Sequence, residues 1–111
     1  MNILFVCSRN RWRSPTAEAI YKTSQGHLAK SAGTEPSARI KLTGKLIAWA
    51  DIIFAMEKRH RQRIMENFAF ETEGKQIVVL NIPDEYQYMD EELVESIKLS
   101  VSPYLDNLWE S

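Results

Sequence analysis

The sequence predicts an α/β fold, a four-stranded parallel sheet with helices on both faces, doubly wound. Two observations carry the prediction. Short continuous apolar runs, the mark of strands buried on both faces, occur at Ile3-Leu4-Phe5-Val6, Asp51-Ile52-Ile53-Phe54-Ala55-Met56 and Gln76-Ile77-Val78-Val79-Leu80-Asn81-Ile82, with a weaker one at Leu28 to Ala32. Each is followed by a stretch with helical spacing, so strand and helix alternate four times over, which argues for parallel strands joined by crossover helices. With 111 residues, 44% hydrophobic and 26% charged, the chain suits a single domain over residues 1–111 with its own core.

The elements follow in order. After the first strand, Ser14-Pro15-Thr16-Ala17-Glu18 reads as a helix start, with Ser14 as cap, Pro15 at the first helical position and Glu18 in the first turn. Ala17, Ile20 and Tyr21 share its inner face, and Gly26 stops it. The weak strand ends at Gly33. A polar loop, Thr34 to Ser37, leads to a helix near Arg39 to Trp49 with Ile40, Leu46 and Ile47 at helical spacing. Glu57 to Asn67 is a charged helix with Ile64 and Met65 inward. After the fourth strand comes a loop, Pro83 to Asp90. Asp90 caps a last helix whose buried stripe is Leu93, Ile97, Val101, Leu105 and Leu108, with Pro103 expected to kink or restart it. Ligands of such sheets bind outside the carboxyl ends of the strands, where Cys7, Gly33, Met56 and Asp84 all fall.

Bulk composition excludes several classes of function. A net charge of −1 gives no case for nucleic acid or an anionic membrane as partner. No stretch approaches the ~20 apolar residues of a membrane span. The apolar start, Met1 to Cys7, precedes Arg9, Arg11 and Arg13, the reverse of a signal peptide. One cysteine makes no internal disulfide, which fits a reducing, cytoplasmic setting. His27 and His60 have no metal-ligand spacing with each other or with Cys7, so neither metal nor cofactor is expected. His60, within Lys58-Arg59-His60-Arg61, reads as part of a solvated basic face.

Chemistry concentrates in Cys7-Ser8-Arg9-Asn10-Arg11-Trp12-Arg13-Ser14, which joins a buried strand to a helix. The backbone amides of such a loop turn inward and cradle a phosphate, aided by the positive end of the helix. Arg13 is placed to grip two phosphate oxygens. Arg9 and Arg11 make the rim positive. A cysteine at a helix start favours the thiolate, and Ser14 is placed to donate a hydrogen bond to it. A thiolate attacks phosphorus to give a cysteinyl-phosphate that water hydrolyses. A lone cysteine is commonly no more than a small buried apolar residue. Five residues followed by Arg-Ser, between strand and helix, reverse that reading.

The chain resembles the low-molecular-weight protein tyrosine phosphatase family over most of its length. Val6-Cys7 through Arg13-Ser14-Pro15 is similar to the family signature, and Thr16-Ala17-Glu18-Ala19 continues it. Ser31-Ala32-Gly33-Thr34 resembles a second family segment. Ala50-Asp51-Ile52-Ile53, with Met56 and His60, resembles a third. The resemblance implies a flavodoxin-like fold and a phosphatase that needs no cofactor and acts on a phosphorylated protein or a small phosphate ester. Phosphate would lie against Ser8, Arg9, Asn10, Arg11, Trp12, Arg13 and Ser14. Asn10 matches the asparagine that fixes the loop in a left-handed backbone. The family's general acid lies in an Asp-Pro-Tyr loop, and Asp84-Glu85-Tyr86 stands in the corresponding place. Asp84 is thereby the expected acid, with Asp90 and then Glu85 behind it, and Tyr86 the expected aromatic at the mouth.

The departures are equally specific. Arg9 stands where the family commonly has glycine, Glu85 where it has proline, and Trp12 where many members carry a second cysteine. The chain is shorter than typical members, chiefly between Thr34 and Ala50. Of the three aromatics that offer a slot above the phosphate, Tyr86, Tyr88 and Trp49, the last is better read as packing. Two other readings use the same cradle: a non-catalytic module that docks phosphate or phosphotyrosine, and an arsenate reductase, which would need a thiol carrier in place of the further cysteines this chain lacks.

Overall fold

A computed structural model describes residues 1–22 and 26–105. Its elements run β1 (Asn2–Cys7), α1 (Arg13–Tyr21), β2 (Leu28–Gly33), α2 (Gly44–Trp49), β3 (Ile52–Ala55), α3 (Lys58–Asn67), β4 (Gln76–Val79) and α4 (Glu91–Leu105). All pairings are parallel and the order across the sheet is β2-β1-β3-β4. The order reverses direction beside β1, the topological switch point at which doubly wound sheets bind ligands. The predicted fold class is the observed one.

Alternation along β1 builds both faces. Ile3, Phe5 and Cys7 point to one side, where Ala17 and Tyr21 of α1 and Leu93, Ile97, Val101 and Leu105 of α4 cover them. Leu4 and Val6 point to the other, under Ile47 of α2 and Ile64 of α3. Phe5 stacks between Phe54 and Tyr21, with ring centroids 5.5 and 5.7 Å away. Because β1 is central and buried throughout, its carboxyl end emerges at the middle of the rim. Among the described residues no helix is long and apolar enough to cross a membrane.

Several elements differ from the sequence reading, each for a tertiary reason. The helix expected from Arg39 begins only at Gly44, capped by Thr43, whose Oγ1 accepts from the Leu46 N–H at 3.3 Å. Residues 39 and 40 instead form a bend, and Lys41 makes an isolated parallel bridge to Gly33 at the end of β2. Gly33 N–H donates to the Ile40 carbonyl and Leu42 N–H to the Gly33 carbonyl, which satisfies an edge that would otherwise be bare. Ile40 is 40% exposed and belongs to no helix face. Met65 points outward, leaving Ile64 as the inward residue of α3.

Ser14 does not cap α1. The helix starts two residues earlier, after Trp12, and the Ser14 hydroxyl turns into the loop instead. Pro15 falls third in the helix, still within the first turn where a missing N–H costs nothing. The helix ends at Tyr21, ahead of Gly26, which has φ +82°. β4 stops at Val79 because Asn81 adopts φ 57°. The N–H groups of Leu80 and Ile82 nevertheless reach the carbonyls of Ala55 and Met56. Asp90 caps α4 as expected, its Oδ1 accepting from the Glu92 N–H at 2.9 Å. Pro103 lies within the last turn of that helix without dividing it. Leu108 lies outside the described residues.

Candidate active site

The loop from Cys7 to Ser14 is held from outside by its own carbonyls. Those of Cys7, Ser8 and Arg9 accept from the N–H groups of Thr34, Glu35 and Arg39, at 3.0, 2.9 and 3.0 Å. The Asn10 carbonyl accepts from Arg39 Nε at 3.1 Å. With the carbonyls turned outward, no described residue accepts from the N–H groups of residues 8 to 12. Gly33 permits this close fit: a Cβ there would lie 2.5 Å from the Ser8 carbonyl oxygen and 2.7 Å from Ala38 Cβ.

A second set of bonds fixes the interior. Asn10 has φ 55°, a left-handed conformation that asparagine tolerates better than most residues. Its Nδ2 donates to Ser14 Oγ at 2.8 Å and to Ser31 Oγ at 2.9 Å. Ser31 in turn donates to Glu18 Oε1. Ser14 Oγ accepts from Asn10 and has two acceptors in reach of its own hydrogen, Cys7 Sγ at 2.9 Å and the Ala32 carbonyl at 3.4 Å, of which the thiol is the nearer. Cys7 is 3% exposed, at the floor of a cavity lined by Cys7, Ser8, Arg9, Arg11, Trp12, Arg13 and Asp84.

Arg13 is buried, which an unpaired guanidinium would not survive. Its Nη1 donates to Glu57 Oε2 at 2.6 Å and to the Ile82 carbonyl at 2.7 Å. Both bonds use Nη1, so the Nε–Nη2 edge remains to grip two oxygens of one anion. Asp84 Oδ1 stands 3.7 Å from Nε. Burial would raise the Glu57 carboxyl, but hydrogen bonds from Arg13 and Arg59 outweigh it and hold it below its ordinary value.

His60 corrects the sequence reading most sharply. It is 1% exposed, not part of a solvated face. Its Nδ1 accepts from the Glu57 N–H at 3.0 Å, so Nε2 carries the proton and donates to Ser8 Oγ at 2.8 Å. Burial first, then the charges of Arg13 and Arg59, lower its pKa from 6.5 to about 4. The start of α3 thus grips both ends of the loop, Ser8 through His60 and Arg13 through Glu57. Glu57 and His60 form a reciprocal capping box at the start of α3, built from a residue pair outside the usual Ser/Thr and Glu/Gln signature, so the sequence carried no capping signal for it.

The predicted residues therefore converge, with exceptions at the periphery. Tyr86 is half-buried against the core rather than lining the cavity, and Tyr88 lines a neighbouring cavity with Arg11. Trp49 packs against the second core face with Lys30 Nζ 4.5 Å from its ring. Asp90, spent on the helix cap, does not line the cavity; Asp84 does. Among the described residues no group of three or more His, Cys, Asp or Glu side chains is placed to hold a metal ion.

No protein-family model matches the chain, and no curated protein matches it in sequence. Solved structures do. The YwlE arginine phosphatase from Geobacillus stearothermophilus superposes with a TM-score of 0.71 at 22% identity, covering 99% of this chain and 97% of that one. The tyrosine phosphatase Wzb from Escherichia coli K30, in complex with phosphate, gives 0.74 at 22% identity, with 96% and 97% covered. SP-PTP, the low-molecular-weight protein tyrosine phosphatase from Streptococcus pyogenes, gives 0.76 at 18% identity, with 96% and 92% covered. Across nearly its whole length, then, the chain has the fold of the low-molecular-weight tyrosine phosphatases.

Proposed function

We propose that the chain is a member of that family and a cysteine-dependent phosphomonoesterase. The observation that carries the reading is the single cavity lined by Cys7, Arg13 and Asp84 together, with Ser14 Oγ 2.9 Å from Cys7 Sγ. The N–H groups of the loop and the Nε–Nη2 edge of Arg13, which Asp84 also faces, bind the three non-bridging oxygens and stabilise the charge of the transferring phosphoryl group. Cys7 Sγ attacks phosphorus, forming an S–P bond as the P–O ester bond breaks. Asp84 gives its proton to the departing oxygen. Water then attacks phosphorus, the S–P bond breaks, the proton of the water returns to Asp84, and inorganic phosphate leaves. A YwlE arginine phosphatase structure of a cysteine-to-serine mutant with a phosphorylated active-site serine supports a covalent route of this kind. The substrate is a phosphorylated protein or a small phosphate ester.

The test is hydrolysis of para-nitrophenyl phosphate by the wild type and by Cys7→Ser. The wild type should release nitrophenol. Cys7→Ser should not, while still binding vanadate, because a serine hydroxyl is a far weaker nucleophile at neutral pH. Near-native turnover by Cys7→Ser would overturn the assignment. A wild type that binds vanadate but releases no nitrophenol would make the chain a binding module.

A further inference from the structure

A second cavity adjoins the catalytic one and shares a wall with it. It is lined by Arg11, Pro15, Glu18, Lys22, Arg39 and Tyr88, among others, and Arg11 belongs to both cavities. Three cations therefore face one carboxylate. That carboxylate is already engaged, since Glu18 Oε1 accepts from Ser31 inside the loop network. On a chain whose net charge is −1, this is a local excess of positive charge that the fold has gathered from three places: the catalytic loop, the end of α1 and the segment after β2.

Two of the cations are held rather than loose. Arg39 is tied to the outer wall of the loop twice, by its N–H to the Arg9 carbonyl and by its Nε to the Asn10 carbonyl. Its side chain also lines the second cavity. The Arg11 guanidinium carbon lies 5.5 Å from the centre of the Trp12 ring, a cation–π contact that limits its freedom at the wall between the cavities. Fixed guanidinium groups lose less entropy on binding an oxyanion than free ones, and they bind it in a fork. Phosphate in the cradle needs none of Lys22, Arg39 or Tyr88.

We propose that Arg11, Lys22 and Arg39 form a second anion subsite beside the catalytic cradle, and that the preferred substrate carries a further phosphate or carboxylate next to the phosphate that is cleaved. This rests on the phosphatase reading, and it narrows the substrate to a class with two anionic groups. Two sources share that chemistry: an acidic residue flanking a phosphorylated side chain, and a small molecule with two phosphates.

The experiment compares matched pairs. One pair is a phosphotyrosine peptide flanked by aspartates against the same peptide flanked by alanines. The other is fructose 1,6-bisphosphate against fructose 6-phosphate. In at least one pair the doubly anionic member should have a kcat/KM higher by about five- to tenfold, as expected for contacts at an exposed rim, and the advantage should fade in 1 M salt. In the double variant Lys22→Gln/Arg39→Gln the ratio should fall towards one; because a ratio is read, general damage to the loop cancels. The pair that shows the effect identifies the source. Ratios near one in both pairs for the wild type overturn the proposal, as does a ratio that survives the double variant. Absence of nitrophenol release from para-nitrophenyl phosphate would remove the phosphatase reading alone. The subsite is then decided by calorimetric binding of the same pairs, and equal affinities overturn it.

Discussion

Burial of a neutral histidine under the loop from Cys7 to Ser14 makes stability depend on acid in a calculable way. His60 has an ordinary pKa of 6.5 and a folded value of about 4, so between those values the unfolded chain binds a proton that the folded one refuses. Stability is therefore complete above about pH 7 and is lost as pH falls, first through the unfolded value and then towards the folded one. A gap of this size is worth about 2 kcal/mol at pH 5 and about 3 kcal/mol at pH 4. For a domain of this size about 1 kcal/mol moves Tm by about 4 °C, so His60 alone should lower Tm by about 8 °C between pH 7 and pH 5. The assay is thermal unfolding of the wild type and of His60→Asn across that range. The variant should be less stable at pH 7, by roughly 1–2 kcal/mol for two lost hydrogen bonds, yet its curve should be flatter. His27, whose pKa is also lowered by burial and by the N-terminal charge, titrates in the same window and cancels in the difference. Glu57, held below its ordinary value, contributes at lower pH. Parallel curves for the two proteins between pH 7 and pH 5 would refute the claim that His60 is held neutral.

Two further outcomes bear on the chemistry. Asp84→Asn should slow an alkyl or tyrosyl phosphate by ~100-fold or more while sparing a nitrophenyl phosphate, whose oxygen leaves with little help; Asp90→Asn should mainly lower stability through a weakened cap, by at most about 1 kcal/mol, and the reverse pattern would move the acid to Asp90. Peroxide should inactivate by adding oxygens to Cys7, visible in the intact mass, because Trp12 offers no thiol to trap the sulfenic acid. Complete recovery with a mild thiol after prolonged exposure would contradict that.

The sheet and the cradle were legible because their signals are local. Ile3 to Val6 and Gln76 to Val79 read as strands from their own residues, and Cys7, Arg13 and Ser14 stand in a spacing that only a turn between strand and helix explains. What escaped was decided by neighbours distant in sequence. Residues 39–42 carry enough helical spacing to pass for a turn of helix, but the bare edge of β2 claims their backbone. Ser14 has the chemistry of a cap and is used on a thiol instead. His60 sits among Lys58, Arg59 and Arg61, where its surroundings in sequence are all charge. Its burial follows from Ser8, which lies 52 positions earlier and 2.8 Å away. Glu57 escaped in the same way, since its partner Arg13 is 44 positions distant.

The bond from Arg13 to the Ile82 carbonyl closes a span of 69 residues, and this has a consequence for biosynthesis. Parallel strands pair only after each crossover is complete, so contacts of high sequence separation form late and at a high entropic cost. A nascent chain ending before Ile82 has Cys7 and its loop but neither the carbonyl that anchors Arg13 nor Asp84. It also lacks α4, which leaves the side of Phe5 and Phe54 covered by α1 alone. Such a chain exposes apolar surface of the kind that chaperones retain. The anchor of Arg13 and the α4 cover of the core thus arrive together, when residues 82–105 dock.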